Sequence, residues 1–340
     1  METPKLPYLP QLDGLRALAV TMVFVHHALG APLLWSGVDL FFILSGYLIT
    51  SILLRDSERM AFGEMLGKFY LRRAERILPA YLIFLFVIYW FVKPDWNVHW
   101  GYYLCFLQNA PNALQDSTPM APLWSLAVEQ HFYLVWPILL FFLPRRSLVP
   151  CMLVLLLGEP ILRALCTPLF PTSATIYTLT PFRLDALAAG ALAALMLPHC
   201  KAAPTIRAAQ AAMLVGIAAY VLLAYHHPWF NRAANRPTFN ALAYSLNILI
   251  LGGLFVWATL SRGTLLVRVL AHPVLRWVGR VSYCFYLFHL LVLNEVQRFE
   301  GRLVAALIAY PLAIGLASCS WIWIEKPILS LSASHRKADK

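Results

Sequence analysis

The sequence predicts an all-α integral membrane protein, a polytopic bundle of about ten transmembrane helices with both termini in the cytoplasm. Of its 340 residues, 60% are hydrophobic and only 13% are charged, which is about half the charged fraction of a soluble domain. The hydrophobic residues come in runs that are long enough, at 1.5 Å per helical residue, to cross or nearly cross a bilayer.

The predicted spans are separated by connections that hold most of the 27 Lys and Arg residues. Alternate connections, such as 55–76 and 262–280, are the basic ones, and the positive-inside rule places them with both termini in the cytoplasm. We assign residues 1–328 to one membrane domain and residues 329–340 to a short polar cytoplasmic tail. The predicted spans are 10–29, 37–54, 77–93, 123–143, 148–166, 178–198, 207–225, 239–259, 279–296 and 303–324.

The net charge of +11 fits basic loops of a membrane protein, so we expect the lipid bilayer, and no nucleic acid, as a partner. The six cysteines form no Cys-x-x-Cys pair and lie mostly within or beside hydrophobic runs, as small buried residues do. We therefore expect neither a disulfide framework nor a metal site. The oligomeric state stays open.

The first span carries the sharpest functional signal, because an arginine and a histidine lie inside it. Arg16 and His27 are eleven residues apart. In a helix this spacing places the two side chains within about 20° of the same face and their backbones about 16 Å apart along the axis. Ionisable residues within a membrane are expensive and by default indicate function. Histidine suits general-base catalysis and arginine suits phosphate binding. The alternative is that both side chains reach opposite interfaces, or that His27 only bonds a neighbouring helix.

Two acidic residues are candidates to assist His27. Asp39 follows the first span across a tight hairpin, and it either orients the imidazole, as a carboxylate does in hydrolytic triads, or caps the second helix. Glu129 lies among hydrophobic residues of the fourth span, where it either assists the base, holds a sugar hydroxyl or makes an interhelical bond. We interpret His289 as a packing residue, and Arg183 and Asp185 as structural partners.

Arginines also lie just before the third predicted span. Arg73 and Arg76 are three residues apart and therefore face similarly. From charge alone, anchoring at the cytoplasmic interface is the better explanation. Together with Arg16 on the same side, and with Arg72 beside them, they form a candidate site for the phosphates of coenzyme A.

Taken together, five ordered motifs resemble the bacterial membrane acyltransferase-3 family, which includes O-antigen, exopolysaccharide and nodulation-factor acetylases and macrolide acylases. The resemblance extends from about residue 8 to 328. The motifs are Arg16-x10-His27, Gly37-Val38-Asp39-Leu40-Phe41-Phe42 with Ser45-Gly46, Arg73-x2-Arg76 followed by Pro79, Trp124-Ser125-Leu126 with Glu129, and Ser282-Tyr283 with His289.

The resemblance implies an acyltransferase of the bacterial cytoplasmic membrane. It would take an acyl group, expected to be acetyl, from acyl-CoA (acetyl-CoA) on the cytoplasmic side, and transfer it to a hydroxyl of a carbohydrate, glycolipid or glycosylated small molecule. It implies an essential Arg16 and His27, and matches Arg73 and Arg76 to the family's arginine pair. We expect His27 to act as the base, helped by Asp39 or Glu129.

The competing interpretation is a transporter or flippase of an acyl donor or lipid-linked sugar, because intramembrane charges also line transport pathways. Many transporters consist of two related halves with interrupted helices, and the sequence shows no such repeat. Thioester-dependent acylation by purified protein would favour the enzyme, whereas uptake of an unchanged substrate would favour the transporter.

Overall fold

A computed structural model describes residues 8–91, 100–113, 121–228 and 230–331, and within these residues the chain is helical, without a β-strand. The prediction of an all-α bundle is therefore confirmed. The α-helices are α1 (Pro10–Leu29), α2 (Gly37–Ser57), α3 (Phe62–Phe91), α4 (Trp100–Leu104), α5 (Asn109–Ala113), α6 (Trp124–Phe142), α7 (Arg145–Cys166), α8 (Ala174–Thr178), α9 (Leu184–Met196), α10 (Ala202–His226), α11 (Pro237–Leu260), α12 (Leu265–Leu270), α13 (Pro273–Gln297) and α14 (Arg302–Ser320).

Seven helical segments of the described chain are long and apolar enough to cross a membrane. They are Pro10–Leu29, Leu34–Ser57, Trp124–Phe142, Arg145–Leu169, Ala202–His226, Pro237–Leu260 and Arg302–Leu331. The other three predicted spans overlap α3, α9 and α13. The number of crossings and the side of the termini stay predictions. Residues 92–93 of the third predicted span and 332–340 of the predicted tail lie outside the described residues.

The surface of α7 has the polarity that a bilayer requires. Val154, Leu157 and Ile161 recur at helical spacing and are between 62% and 70% exposed, whereas Glu159 and Arg163 on the opposite side are buried. A soluble protein keeps charges outside and avoids such contiguous apolar surface. Helix α7 therefore turns its hydrophobic residues outward, as toward lipid, and these two charges inward.

Glycines allow α2 and α9 to pack backbone against backbone. A Cβ built on Gly46 of α2 would lie 2.0 Å from the carbonyl oxygen of Leu187, and one built on Gly190 of α9 would lie 2.0 Å from that of Ile43. Small residues at such crossings are typical of membrane helix pairs, where close packing replaces the hydrophobic effect. This contact fixes α2, which carries Asp39 and Ser45.

The central helix α1 packs against α13, and α13 packs against α14, while α9 packs against both α2 and α7. Helix α10 packs against α11, and α11 also contacts α7 and α2. Helices α1, α2, α3, α6 and α13 surround one interior cavity that polar side chains line.

The α2–α9 crossing leads to a stability prediction. Gly190→Ala places a methyl group against the Ile43 carbonyl, so we expect a loss of about 1–3 kcal/mol, as for other overpacked cores. The measurement is the thermal unfolding midpoint of the purified protein in one detergent. The matched control is Gly315→Ala on α14, where a built Cβ meets nothing within 4 Å, and its midpoint should not fall. Equal midpoints for both variants would contradict the argument.

Candidate active site

Three arginines from two helices meet at one cavity inside the bundle. Arg16 of α1 and Arg73 and Arg76 of α3 line a cavity of about 100 Å³. Helices α2, α6 and α13 complete its wall with mainly aromatic and hydroxyl-bearing side chains. The structure thus brings together three of the four arginines that the sequence suggests for phosphate binding.

The cavity is cationic. Its lining holds three guanidinium groups and a single carboxylate, that of Glu129. Arg16 Nη1 also pairs with Asp13 Oδ1 at 3.2 Å, one turn earlier on α1. The Nε of Arg73 is buried, and within the described chain it has no hydrogen-bond partner. Such an excess of partly buried positive charge favours an anionic ligand.

Arg72, the third arginine predicted for the cofactor, differs from its neighbours. It is partly buried, but it is not among the residues that line the cavity. Arg72 points about 100° from Arg73 around α3, although it shares a helix face with Arg76 one turn later.

Glu129 makes an interhelical bond, which is one of the roles considered for it. Ser45 Oγ donates a hydrogen bond of 2.6 Å to Glu129 Oε1 and so joins α2 to α6. The same carboxylate lies on the cavity wall near the arginines. No hydrogen bond connects it to His27 within the described residues, so its help to the base is not direct in this structure.

His27 lies at the exposed end of α1 and is not among the lining residues of the arginine cavity. Its Nδ1 is 3.0 Å from Nε2 of His289 on α13. Ser282 of α13 lines the cavity with Arg16, and His289 follows Ser282 by seven residues, about two turns along the same helix face. Arg16 and His27 therefore both face α13, but at different depths, and only Arg16 lines the arginine cavity.

Tyr286 lies between the arginine cavity and the His27–His289 pair. Its ring borders the arginine cavity, and its backbone carbonyl oxygen is 2.7 Å from Nδ1 of His289. The interpretation of His289 as a packing residue is incomplete, because the residue also bonds the candidate base. The seven-residue spacing between Ser282 and His289 is a sequence signal that could have placed both residues on this face.

Asp39 does not orient His27, and that expectation is corrected. Its carboxylate is 2% exposed, forms an ion pair with Arg183, and accepts a hydrogen bond of 3.4 Å from Asn247 Nδ2. A buried carboxylate requires a charged partner, and Arg183 supplies one where a neutral imidazole would not. Asp39 lies in the first turn of α2, as the capping alternative expected, but its carboxylate binds side chains of other segments.

The buried charges near Asp39 form a second ion cluster, outside the arginine cavity. Arg163 Nη1 is 2.7 Å from Asp185 Oδ2 and 3.3 Å from Glu159 Oε2. The guanidinium carbon of Arg183 lies 4.6 Å from the centroid of the Tyr244 ring, a favourable cation–π distance. Arg183 and Asp185 are structural, as interpreted, and each has its charge partner on another helix.

The Asp39–Arg183 pair leads to a second stability prediction. Arg183→Gln leaves a buried carboxylate without its cation, which typically costs about 3–5 kcal/mol. The control is Arg298→Gln, which removes the exposed partner of Glu295 at 2.9 Å and should cost less than about 1 kcal/mol. Unfolding midpoints in a common detergent provide the comparison. A wild-type midpoint for Arg183→Gln would show that the pair does not hold α2 in place.

Residues 9–325 match the family model Acyl_transf_3, described as an acyltransferase domain. The chain is 28% identical over 361 residues to the peptidoglycan O-acetyltransferase OatA of Listeria monocytogenes, covering 94% of this chain and 56% of that protein. It is 28% identical over 353 residues to the O-acetyltransferase OatA of Staphylococcus aureus, covering 94% of this chain and 57% of that protein. The chain thus spans little more than half the length of these relatives. No solved structure matches it.

Proposed function

We propose, from the fact that this chain belongs to the Acyl_transf_3 family of acyltransferase enzymes, that it transfers an acetyl group from acetyl-CoA to a hydroxyl group of a cell-envelope glycan. The names of the two O-acetyltransferase relatives support acetyl as the group and oxygen as the acceptor atom. The word peptidoglycan in one of those names supports a glycan acceptor. The apolar helices support a multi-pass position, which we assign to the bacterial cytoplasmic membrane.

We choose acetyl-CoA as the donor because three guanidinium groups line one cavity. An arginine presents a rigid fork of donors that matches phosphate oxygens, and its charge persists at any physiological pH. Coenzyme A, a carrier of acyl groups, offers phosphates at one end and a thioester at the other. Burying three cations within a membrane bundle is costly, and a polyanionic ligand offsets that cost.

His27 is the residue to which we assign the proton transfer. It is at the other end of α1 from Arg16, about 16 Å along the helix axis, and it lies at the exposed edge of the bundle. A donor anchored by its phosphates on the arginines would therefore extend past Tyr286 toward His27. The glycan would approach from the side of the bundle at which His27 is exposed.

One general base is sufficient for the proposed acetyl transfer. His27 accepts the proton of the glycan hydroxyl as that oxygen attacks the thioester carbonyl carbon. The carbon–sulfur bond breaks, the new ester bond remains on the glycan, and His27 returns the proton to the departing thiolate. Glu129, which accepts a hydrogen bond from Ser45, lies on the same cavity wall as the arginines.

The donor site leads to a kinetic prediction. Arg73→Gln and Arg76→Gln each remove a charge-assisted contact of about 1.5–3 kcal/mol, so we expect KM for acetyl-CoA to rise roughly 10- to 100-fold. Release of free thiol by the purified protein in lipid nanodiscs, with a glycan acceptor, measures it. Arg146→Gln, at the exposed start of α7, is the matched control and should keep the wild-type KM. An unchanged KM for both cavity variants would refute this donor site.

The base assignment leads to a different kinetic signature. His27→Ala should lower kcat roughly 10²- to 10⁴-fold, the usual contribution of a general base, while KM for acetyl-CoA stays unchanged because the arginines remain. The control is His26→Ala, whose imidazole bonds the Ala31 carbonyl at 2.8 Å. Wild-type turnover by folded His27→Ala protein would rule out the base. Movement of an unchanged substrate without thiol release would instead favour the transporter.

A further inference from the structure

We propose that His289 is the positioning residue of the candidate base, and that it holds His27 in the one tautomer whose Nε2 is free to accept a proton. The inference rests on the proposed function, in which His27 removes the hydroxyl proton. The observation behind it is a chain of two hydrogen bonds that runs from the Tyr286 carbonyl through His289 to His27.

The direction of the first bond follows from its acceptor. Nδ1 of His289 lies 2.7 Å from the backbone carbonyl oxygen of Tyr286, and a carbonyl oxygen only accepts hydrogen bonds. Nδ1 of His289 must therefore carry the proton. His289 is 1% exposed, and no acidic side chain bonds it among the described residues, so its neutral form is favoured by burial. The Nε2 of a neutral imidazole protonated at Nδ1 is an acceptor.

The direction of the second bond follows from the first. Nδ1 of His27 lies 3.0 Å from that accepting Nε2, so His27 must donate from Nδ1. A neutral His27 protonated at Nδ1 has its lone pair on Nε2, and within the described chain no side chain bonds that atom. The tautomer is thus deduced from the partners of each nitrogen, and it leaves Nε2 available to an acceptor hydroxyl.

His289 is itself held rigidly. Its ring stacks on Phe285 with 6.0 Å between centroids and an interplanar angle of 4°. The residue that supplies its carbonyl acceptor is fixed too, because the Tyr286 hydroxyl is 2.7 Å from both Ser125 Oγ and the Pro122 carbonyl oxygen. The hydrogen-bonded pair is therefore anchored, through Tyr286, to the start of α6.

A neutral residue is suited to orient the His27 imidazole from the position of His289. A carboxylate would also select the tautomer, as in hydrolytic triads, but it would place a charge at the buried position that His289 occupies, where a charge is costly. Asp39, the carboxylate that the sequence suggested for orienting His27, forms an ion pair with Arg183 instead. An imidazole that donates to a backbone carbonyl and accepts from His27 orients the ring without adding a charge.

Two substitutions separate positioning from packing. His289→Phe keeps an aromatic ring against Phe285 but provides no acceptor, whereas His289→Gln provides an acceptor oxygen within reach of His27. We expect His289→Phe to lower kcat for acetyl transfer roughly 10- to 100-fold, the usual effect of losing an orienting partner, with KM for acetyl-CoA unchanged. His289→Gln should recover most of the loss. His26→Phe is the control for an altered imidazole nearby and should keep wild-type turnover.

A spectroscopic measurement tests the tautomer without turnover. In protein labelled with ¹⁵N-histidine, the His27 signals are identified by their loss in His27→Gln. We expect wild-type His27 to show a protonated Nδ1 and a bare Nε2, His289→Gln to preserve this state, and His289→Phe to shift His27 toward protonation at Nε2.

The outcomes separate the two proposals. A wild-type His27 protonated at Nε2, or wild-type kcat in folded His289→Phe protein, overturns the positioning role. A loss of kcat in both His289 variants with an unchanged tautomer also overturns it, because it indicates packing alone. Absence of acetyl transfer by wild-type protein, or full turnover by His27→Ala, overturns the proposed function instead, and the nitrogen signals still decide the tautomer.

Discussion

The structure depends on one constraint, which is that a bilayer interior offers no water to a charged side chain. Every buried charge of the described bundle must therefore find a partner or a ligand. Arg163 and Arg183 have carboxylate partners within the bundle, and they hold helices together. Arg73 and Arg76 face an open cavity, and these are the charges that remain available for function.

This division also separates the two ends of the candidate site. The arginine cavity and the His27–His289 pair lie at different depths of the same α1–α13 interface, and Tyr286 borders the first while supporting the second. Donor binding and proton transfer would thus occur at opposite ends of one path. Such an arrangement suits a reaction whose two substrates approach from opposite sides of a membrane.

Much of the site was accessible from the sequence because the relevant signals are local. Arg16, Arg73 and Arg76 are conspicuous as cations at helix positions within or beside hydrophobic runs, and helical periodicity predicts their faces. The partner of Asp39 was not accessible, since Asp39 and Arg183 are 144 residues apart and a short separation from His27 suggested a closer partner. The role of His289 was missed for the same reason, with 262 residues between it and His27.

The sequence by itself determined the all-α membrane class, the helical segments and the set of ionisable residues that the bundle must accommodate, because composition and periodicity act within one helix. Only the tertiary structure decided which of those residues are partners. Side-chain pairing depends on how α1, α2, α9 and α13 cross, and close contacts such as that at Gly190 set those crossings. Asp39 therefore became a structural residue and His289 a neighbour of the candidate base, although neither outcome is encoded in local spacing.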